Sequence, residues 1–154
     1  EIYAVDIKKN KLKIAGGFGA IPINAEESDP VNEIKRLTGG RGVDVALELI
    51  GLPQTMKQAV QSLAIYGRAV MAGITERTFE IAPYEELLNK EAEIIGVSDH
   101  LAQEIPLLIE WVRHGRLDLS EVVTRTVPLD AAAINSALDQ LEVFTDAVRV
   151  VIAP

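Results

Sequence analysis

Apolar and polar positions along this chain change their spacing repeatedly, and each change marks a switch between strand and helix. Ile2-Tyr3-Ala4-Val5 is an apolar run of strand length, followed by a helical stretch with Leu12 and Ala15 on one face and Gly16, Gly17 and Gly19 near its end. Ile21 to Ile23 predicts a brief second strand. Asp29-Pro30 predicts a helix start, because an Asp side chain accepts from free first-turn amides and Pro is preset for the first helical position. Val31, Ile34 and Leu37 share the face that follows, and Gly39-Gly40 ends it. Val43 to Leu49 is almost continuously apolar, as in a strand covered on both faces of a parallel sheet. Met56, Ala59, Val60 and Leu63 fall at the spacing of an amphipathic helix. Arg68 to Ala72 and Ile94 to Val97 read as further strands, with a short helix between them around Tyr84 to Lys90.

Beyond Asp99 the rhythm shifts to a helix with Ile105, Leu108, Trp111 and Val112 inward, stopped by Gly115, then a strand from Val122 to Val127. Asp130 is expected to cap a last helix carrying Ile134, Ala137, Leu138 and Leu141 on one face, and Val148 to Ile152 closes the chain as a strand. Strands alternating with helices define the α/β class and a parallel sheet.

Composition narrows the partners. The 154 residues include 15 basic and 23 acidic side chains, a net charge of −8 that repels a phosphate backbone, so nucleic acid is not an expected partner. With 48% hydrophobic residues and 25% charged ones the chain is expected to fold compactly. Apolar runs such as Ala69-Val70-Met71-Ala72 are far shorter than the roughly 20 residues that span a bilayer, so no membrane association and a cytoplasmic location are expected. The chain opens on Glu1, already within a strand pattern, and is therefore expected to be part of a longer polypeptide.

Chemistry is sparse. There is no cysteine, and the two histidines, His100 and His114, lack partners at metal-ligand spacing, so no metal site is expected. His114, beside Gly115, is expected to meet the carbonyls at a helix end. No serine lies in an elbow-like context, and no catalytic residue is assigned. Gly16-Gly17-Phe18-Gly19 and Gly39-Gly40-Arg41-Gly42 do not fit G-x-G-x-x-G and read as helix terminators. Glu85-Glu86 reads as a solvated helix face, and Trp111 and Phe144 as packing residues.

The run Leu37-Thr38-Gly39-Gly40-Arg41-Gly42-Val43-Asp44-Val45-Ala46-Leu47-Glu48 closely resembles a recurring stretch of the zinc-containing medium-chain alcohol dehydrogenase/reductase family. Ala4-Val5-Asp6-Ile7, with Lys11 five residues after Asp6, and Pro128-Leu129-Asp130 are similar to further family patterns. The resemblance covers effectively the whole chain and implies the carboxyl-terminal, NAD-binding part of such a dehydrogenase. It implies a Rossmann-like doubly wound parallel sheet lacking its first strand and Gly-rich turn, with residues 1–98 as truncated dinucleotide-binding domain. Residues 99–154 correspond to helices and a strand that pack, in the family, on the catalytic domain. Zinc and its ligands would lie in the missing domain.

Asp6 alone reads equally as a helix cap; the resemblance implies that its carboxylate accepts the adenosine ribose hydroxyls and favours NAD over NADP. Ile7 taken alone is core and Lys11 surface; the resemblance places Ile7 against adenine and Lys11 near a ribose hydroxyl. It places Ile50, Gly51, Ala72, Gly73 and Ile74 along the cofactor, Val97 at the nicotinamide amide and Arg149 near the pyrophosphate. Gly51 and Gly73 also read simply as chain turns, and Val143-Phe144-Thr145-Asp146 departs from the Gly-containing turn usual before the Arg149 position. The implied activity is hydride transfer between an alcohol or carbonyl and NAD, with this chain inactive alone. A homodimer is implied too, since family members dimerise through the segment corresponding to Ile74 to Ile95. Two other readings stay open: a non-catalytic α/β interaction or assembly module, and another ribose-binding Rossmann protein such as a methyltransferase. If the central first strand is absent, either the strands flanking it pair directly or another peptide fills the gap.

Overall fold

A computed structural model describes residues 1–99, 101–142 and 148–154. Among the described residues, seven strands and five α-helices run in the order β1 (Tyr3–Asp6), α1 (Lys9–Gly17), β2 (Ile21–Asn24), α2 (Pro30–Leu37), β3 (Val43–Glu48), α3 (Pro53–Gln61), β4 (Leu63–Met71), β5 (Glu93–Gly96), α4 (Ile105–Arg113), β6 (Val123–Pro128), α5 (Ala131–Glu142) and β7 (Arg149–Ala153). A π-helical turn (Pro83–Leu87) and a 3₁₀ turn (Leu88–Lys90) occupy the place where one short helix is expected.

Every strand pairing is parallel, as the βαβ rhythm requires. Hydrogen bonds nevertheless divide the strands into three sheets, β1-β2, β3-β4-β5 and β6-β7. The flanking strands β1 and β3 do not pair directly. Between them lies a cavity of about 800 Å³, lined on one side by Ile2 to Val5 and on the other by Val43 to Ile50. Pro30 and Ile34 of α2 and Ala59 of α3 are among the residues that line it further. Because α2 packs on both β2 and α3, it bridges the two sheets while leaving their facing edges apart.

Local chemistry explains most element boundaries. The Asp29 carboxylate accepts from the Asn32 amide at 2.8 Å, and Pro30 occupies the first turn of α2. Past its end, Gly39 and Gly40 take φ of 63° and 88°, left-handed values open to glycine. Asp130 caps α5 in the same manner, accepting from Ala133 N at 2.9 Å. Lys90 donates to the carbonyls of Val60 and Gln61 at the end of α3. Burial pushes its ammonium pKa down, nearby Lys35 adds to that, and Glu86 opposes it.

Val60, Leu63 and Ala69 form the innermost cluster, with Val43, Ala46, Met71 and Phe79 packed around it. Leu63 is buried as expected, but it opens β4 rather than closing α3. The two-sided cover expected of β3 is absent: α3 protects the face of Ala46, whereas Val45 and Leu47 remain 52% and 65% exposed. In α4 the expected inward face is also open, with Ile105, Leu108, Trp111 and Val112 all exposed. Of the face expected on α5, Ala137 is buried but Leu138 and Leu141 are exposed. Periodicity reads these faces correctly as apolar, but the described chain covers them only in part, as where β6 packs on α5.

The contrast is measurable by denaturant unfolding. Leu63→Ala should cost about 2–5 kcal/mol through the cavity it leaves, whereas Leu47→Ala on the open face should stay within about 0.5 kcal/mol.

Candidate functional site

Parallel pairing brings the carboxyl ends of the strands to a common side within each sheet, and the cofactor candidates sit there. Asp6 ends β1, Ile50 and Gly51 follow β3, Ala72, Gly73 and Ile74 follow β4, and Val97 follows β5. The cavity between β1 and β3 extends to this end at Leu49 and Ile50.

Two glycines make the centre of this end possible. A Cβ on Gly73 would lie 2.1 Å from the Gly51 nitrogen, and one on Gly51 would lie 2.2 Å from the Ile74 carbonyl oxygen. Gly51 also takes φ of 85°. The close approach of two backbones, not turning alone, is therefore what these positions require. Glu48, only 3% exposed, locks the crossing. One carboxylate oxygen accepts from the amides of Ile50 at 3.0 Å and Gly51 at 2.9 Å, and from the Thr55 hydroxyl at 2.7 Å. Three donors offset the cost of burying this side chain.

Asp6 is half-buried, and its Oδ1 accepts from the Lys8 amide at 2.8 Å. That bond occupies one of the two carboxylate oxygens in the turn ahead of α1; the N-cap of α1 is Lys8 and no side chain caps it, so the reading of Asp6 as a helix cap is corrected. Ile7 is 46% exposed beside it, so the plain reading of Ile7 as core is corrected: no element covers it. Lys11 stands on α1, half-buried. Arg149 begins β7, which among the described residues pairs only with β6, so the strand hydrogen bonds described do not connect it to the other candidates.

Sequence reasoning missed Glu48 as a site residue, although its position closing an apolar strand before Gly51 was a usable signal: a carboxylate there needs donors. Glu86, expected to be solvated, is half-buried and accepts from Gln61 Nε2 and the Ala82 amide. His114 meets the Glu110 carbonyl through Nδ1 at 2.8 Å, at the helix end where it was expected. His100, Phe144 and the Val143 to Asp146 turn lie outside the described residues.

This is a Rossmann-like α/β arrangement with its candidate ligand residues at the carboxyl ends of parallel strands. Residues 1–114 match the family described as zinc-binding dehydrogenase, and the chain belongs to that family. It is 34% identical over 131 residues to (R,R)-butanediol dehydrogenase of Bacillus subtilis, covering 84% of this chain and 37% of that protein. It is 31% identical over 154 residues to the NAD-dependent alcohol dehydrogenase of Sulfurisphaera tokodaii, covering 99% and 43% respectively. The structure of 2R,3R-butanediol dehydrogenase from Bacillus subtilis superposes with a TM-score of 0.86 at 30% identity, over 99% of this chain and 43% of that one. Benzyl alcohol dehydrogenase from Acinetobacter calcoaceticus superposes at the same TM-score and 29% identity, over 98% and 42%. The chain thus spans well under half the length of the relatives it matches.

The family description implies zinc, but the residues present do not suit it: among the described residues no three His, Cys, Asp or Glu side chains come together as ligands. Among the described residues, too, no helix is long and apolar enough to cross a membrane.

The glycine crossing is open to direct test by thermal unfolding. Gly73→Ala should destabilise by about 1–3 kcal/mol or more through forced backbone displacement, while Gly16→Ala, inside α1 with open space around it, should be neutral or stabilise by up to about 1 kcal/mol.

Proposed function

We propose that this chain is the cofactor-binding portion of an NAD-dependent alcohol dehydrogenase, and that it does not catalyse the reaction alone. The observation that carries the reading is the succession of Asp6, Ile50-Gly51, Ala72-Gly73-Ile74 and Val97 directly after the ends of parallel strands. An elongated dinucleotide lying across those ends would meet each in turn. In the whole protein NAD would supply the hydride acceptor for an alcohol, or NADH the donor for a carbonyl. The chain's own residues bind and orient.

In this reading Asp6 accepts from the adenosine ribose hydroxyls and repels a 2′-phosphate, which favours NAD over NADP. Its bond to the Lys8 amide at 2.8 Å supports the role by fixing the carboxylate at the strand end. Ile7 lies against adenine, Lys11 donates to a ribose hydroxyl, and Arg149 approaches the pyrophosphate from β7. Residues 1–98 form the dinucleotide-binding unit, and residues 99–154 a region that packs on a catalytic domain. The open apolar face of α4 supports that division.

We also propose a homodimer, formed through the segment from Ile74 to Ile95. Support comes from the exposed β5, where Ile94 and Ile95 are 38% and 37% accessible, and from Ile74 at 95%. An uncovered parallel edge of that kind pairs readily with a second copy.

Calorimetric titration tests the cofactor reading. The chain should bind NAD more tightly than NADP, and Asp6→Ala should weaken NAD binding by roughly 10- to 100-fold and erase the preference, as expected for loss of charge-assisted hydrogen bonds. No heat from NAD, or an Asp6→Ala variant with unchanged preference, would sink it. Sedimentation equilibrium tests the assembly: a dimer mass is expected, and a monomer at all concentrations would overturn the dimer proposal.

A further inference from the structure

A second cavity, of about 430 Å³, lies at the amino-terminal ends of β3 and β4, away from the strand ends that carry the cofactor candidates. Three cations line it: Lys35 from the last turn of α2, Arg41 from the loop ahead of β3, and Lys90 from the 3₁₀ turn before β5. Among the described residues no acidic side chain joins them in the lining, in a chain whose net charge is −8. Leu63, Ala64 and Ile65 of β4 give the cavity an apolar wall. Ile65 is exposed where the register slips between Val43 opposite Leu63 and Val45 opposite Arg68, a bulge in which Tyr66 takes φ of 63°.

Each cation keeps capacity to spare. Lys90 Nζ donates to the carbonyls of Val60 and Gln61 at 3.3 and 3.1 Å, two of the three donors an ammonium carries. Closing the end of α3 accounts for Lys90, but not for the two cations gathered beside it. Arg41 pairs with Asp44, and both side chains are exposed, so the pair holds the guanidinium only weakly. Lys35 has no ion-pair partner among the described residues. Burial first, and then the charge of Lys35, disfavour the ammonium form of Lys90. Glu86 opposes them, but it is bonded to Gln61 Nε2 and the Ala82 amide and does not line the cavity. Like charges thus face one hollow with no counter-charge inside it, and an anion there relieves their repulsion.

We propose that this cavity binds a small phosphate monoester, with the phosphate held by Lys35, Arg41 and Lys90 and the organic body against Leu63, Ala64 and Ile65. A phosphate presents three oxygens and up to two negative charges, which suits three separate cations, and the fork of Arg41 matches its geometry. A carboxylate presents two oxygens and one charge. The volume falls in the range of small-molecule sites and leaves room for a body beyond the phosphate. Because the site is remote from the cofactor candidates, the inference does not rest on NAD binding.

The 154-residue chain is titrated with inorganic phosphate, phenyl phosphate and benzoate at fixed ionic strength in chloride, and its amides are followed by NMR. Both phosphates should give saturable shifts at Arg41, Ala64 and Ile65, with phenyl phosphate at least about threefold tighter than inorganic phosphate and benzoate weakest. The double variant Lys35→Gln/Arg41→Gln should weaken phenyl phosphate by about tenfold or more, and Asp44→Asn, which frees Arg41, should tighten it by about two- to threefold. No saturable shifts, shifts confined to Gly51 and Gly73, or an unchanged affinity in the double variant would each overturn the site. Benzoate binding as tightly as phenyl phosphate would overturn the choice of phosphate, and inorganic phosphate binding as tightly would overturn the role of the apolar wall. If the double variant fails to fold, Lys35→Gln alone, at an exposed helix position, decides: about threefold weaker binding is expected, and unchanged binding overturns the proposal.

Discussion

The crossing of two backbones at Gly51 and Gly73 is the constraint on which the ligand end of this chain depends. With a would-be Cβ of either glycine only about 2 Å from the other segment's backbone, no side chain can be interposed without moving a strand end. The approach brings four amides close together: those of Ala72 and Gly73 bond to the main-chain carbonyl of residue 48, and those of Ile50 and Gly51 would lose their side-chain acceptor without the Glu48 carboxylate. Its buried carboxylate is kept by its donors, and the donors are kept ordered by the carboxylate. Steric freedom at two glycines and hydrogen-bond capacity at one glutamate are two halves of one arrangement.

The second feature that organises the molecule is the gap between β1 and β3. A parallel sheet normally gains from pairing every strand, and two apolar edges facing one another would be expected to close up. They do not: a cavity of about 800 Å³ separates them, and α2, packed on β2 at one side and on α3 at the other, is the element that links the two sheets. The same openness leaves Val45 and Leu47 of β3, and Leu49 and Ile50 just after it, exposed. Membership of the zinc-binding dehydrogenase family, with the chain spanning 37% to 43% of the relatives compared, gives that surface a setting in a larger molecule.

Local signals in the sequence were enough to place the elements. Asp29-Pro30, Gly39-Gly40 and Asp130 each act through bonds and dihedrals within a few residues, so their meaning does not depend on the rest of the chain, and the structure realises all of them. The alternation of strand and helix likewise specified parallel pairing, since parallel neighbours need a crossover between them. Apolar periodicity identified which faces avoid water but not whether a partner would cover them. Hence β3 and α4 were read as covered and are open.

The candidate site divides in the same way. That Asp6, Gly51, Gly73 and Val97 belong at strand ends was legible, because strand ends are set by local composition. Glu48 was legible only as a carboxylate in need of donors: those it uses, the Ile50 and Gly51 amides and the Thr55 hydroxyl, lie close by in the chain, but its burial depends on how β3 packs. What the sequence by itself determined is the class of fold, the positions of its caps and turns, and the list of residues that end the strands. Tertiary structure alone decided that β1 and β3 stay apart, that the backbones at two glycines touch, and that the Glu48 carboxylate is buried beneath that contact. Those outcomes depend on distances between segments far apart in the chain, and no local propensity encodes such distances.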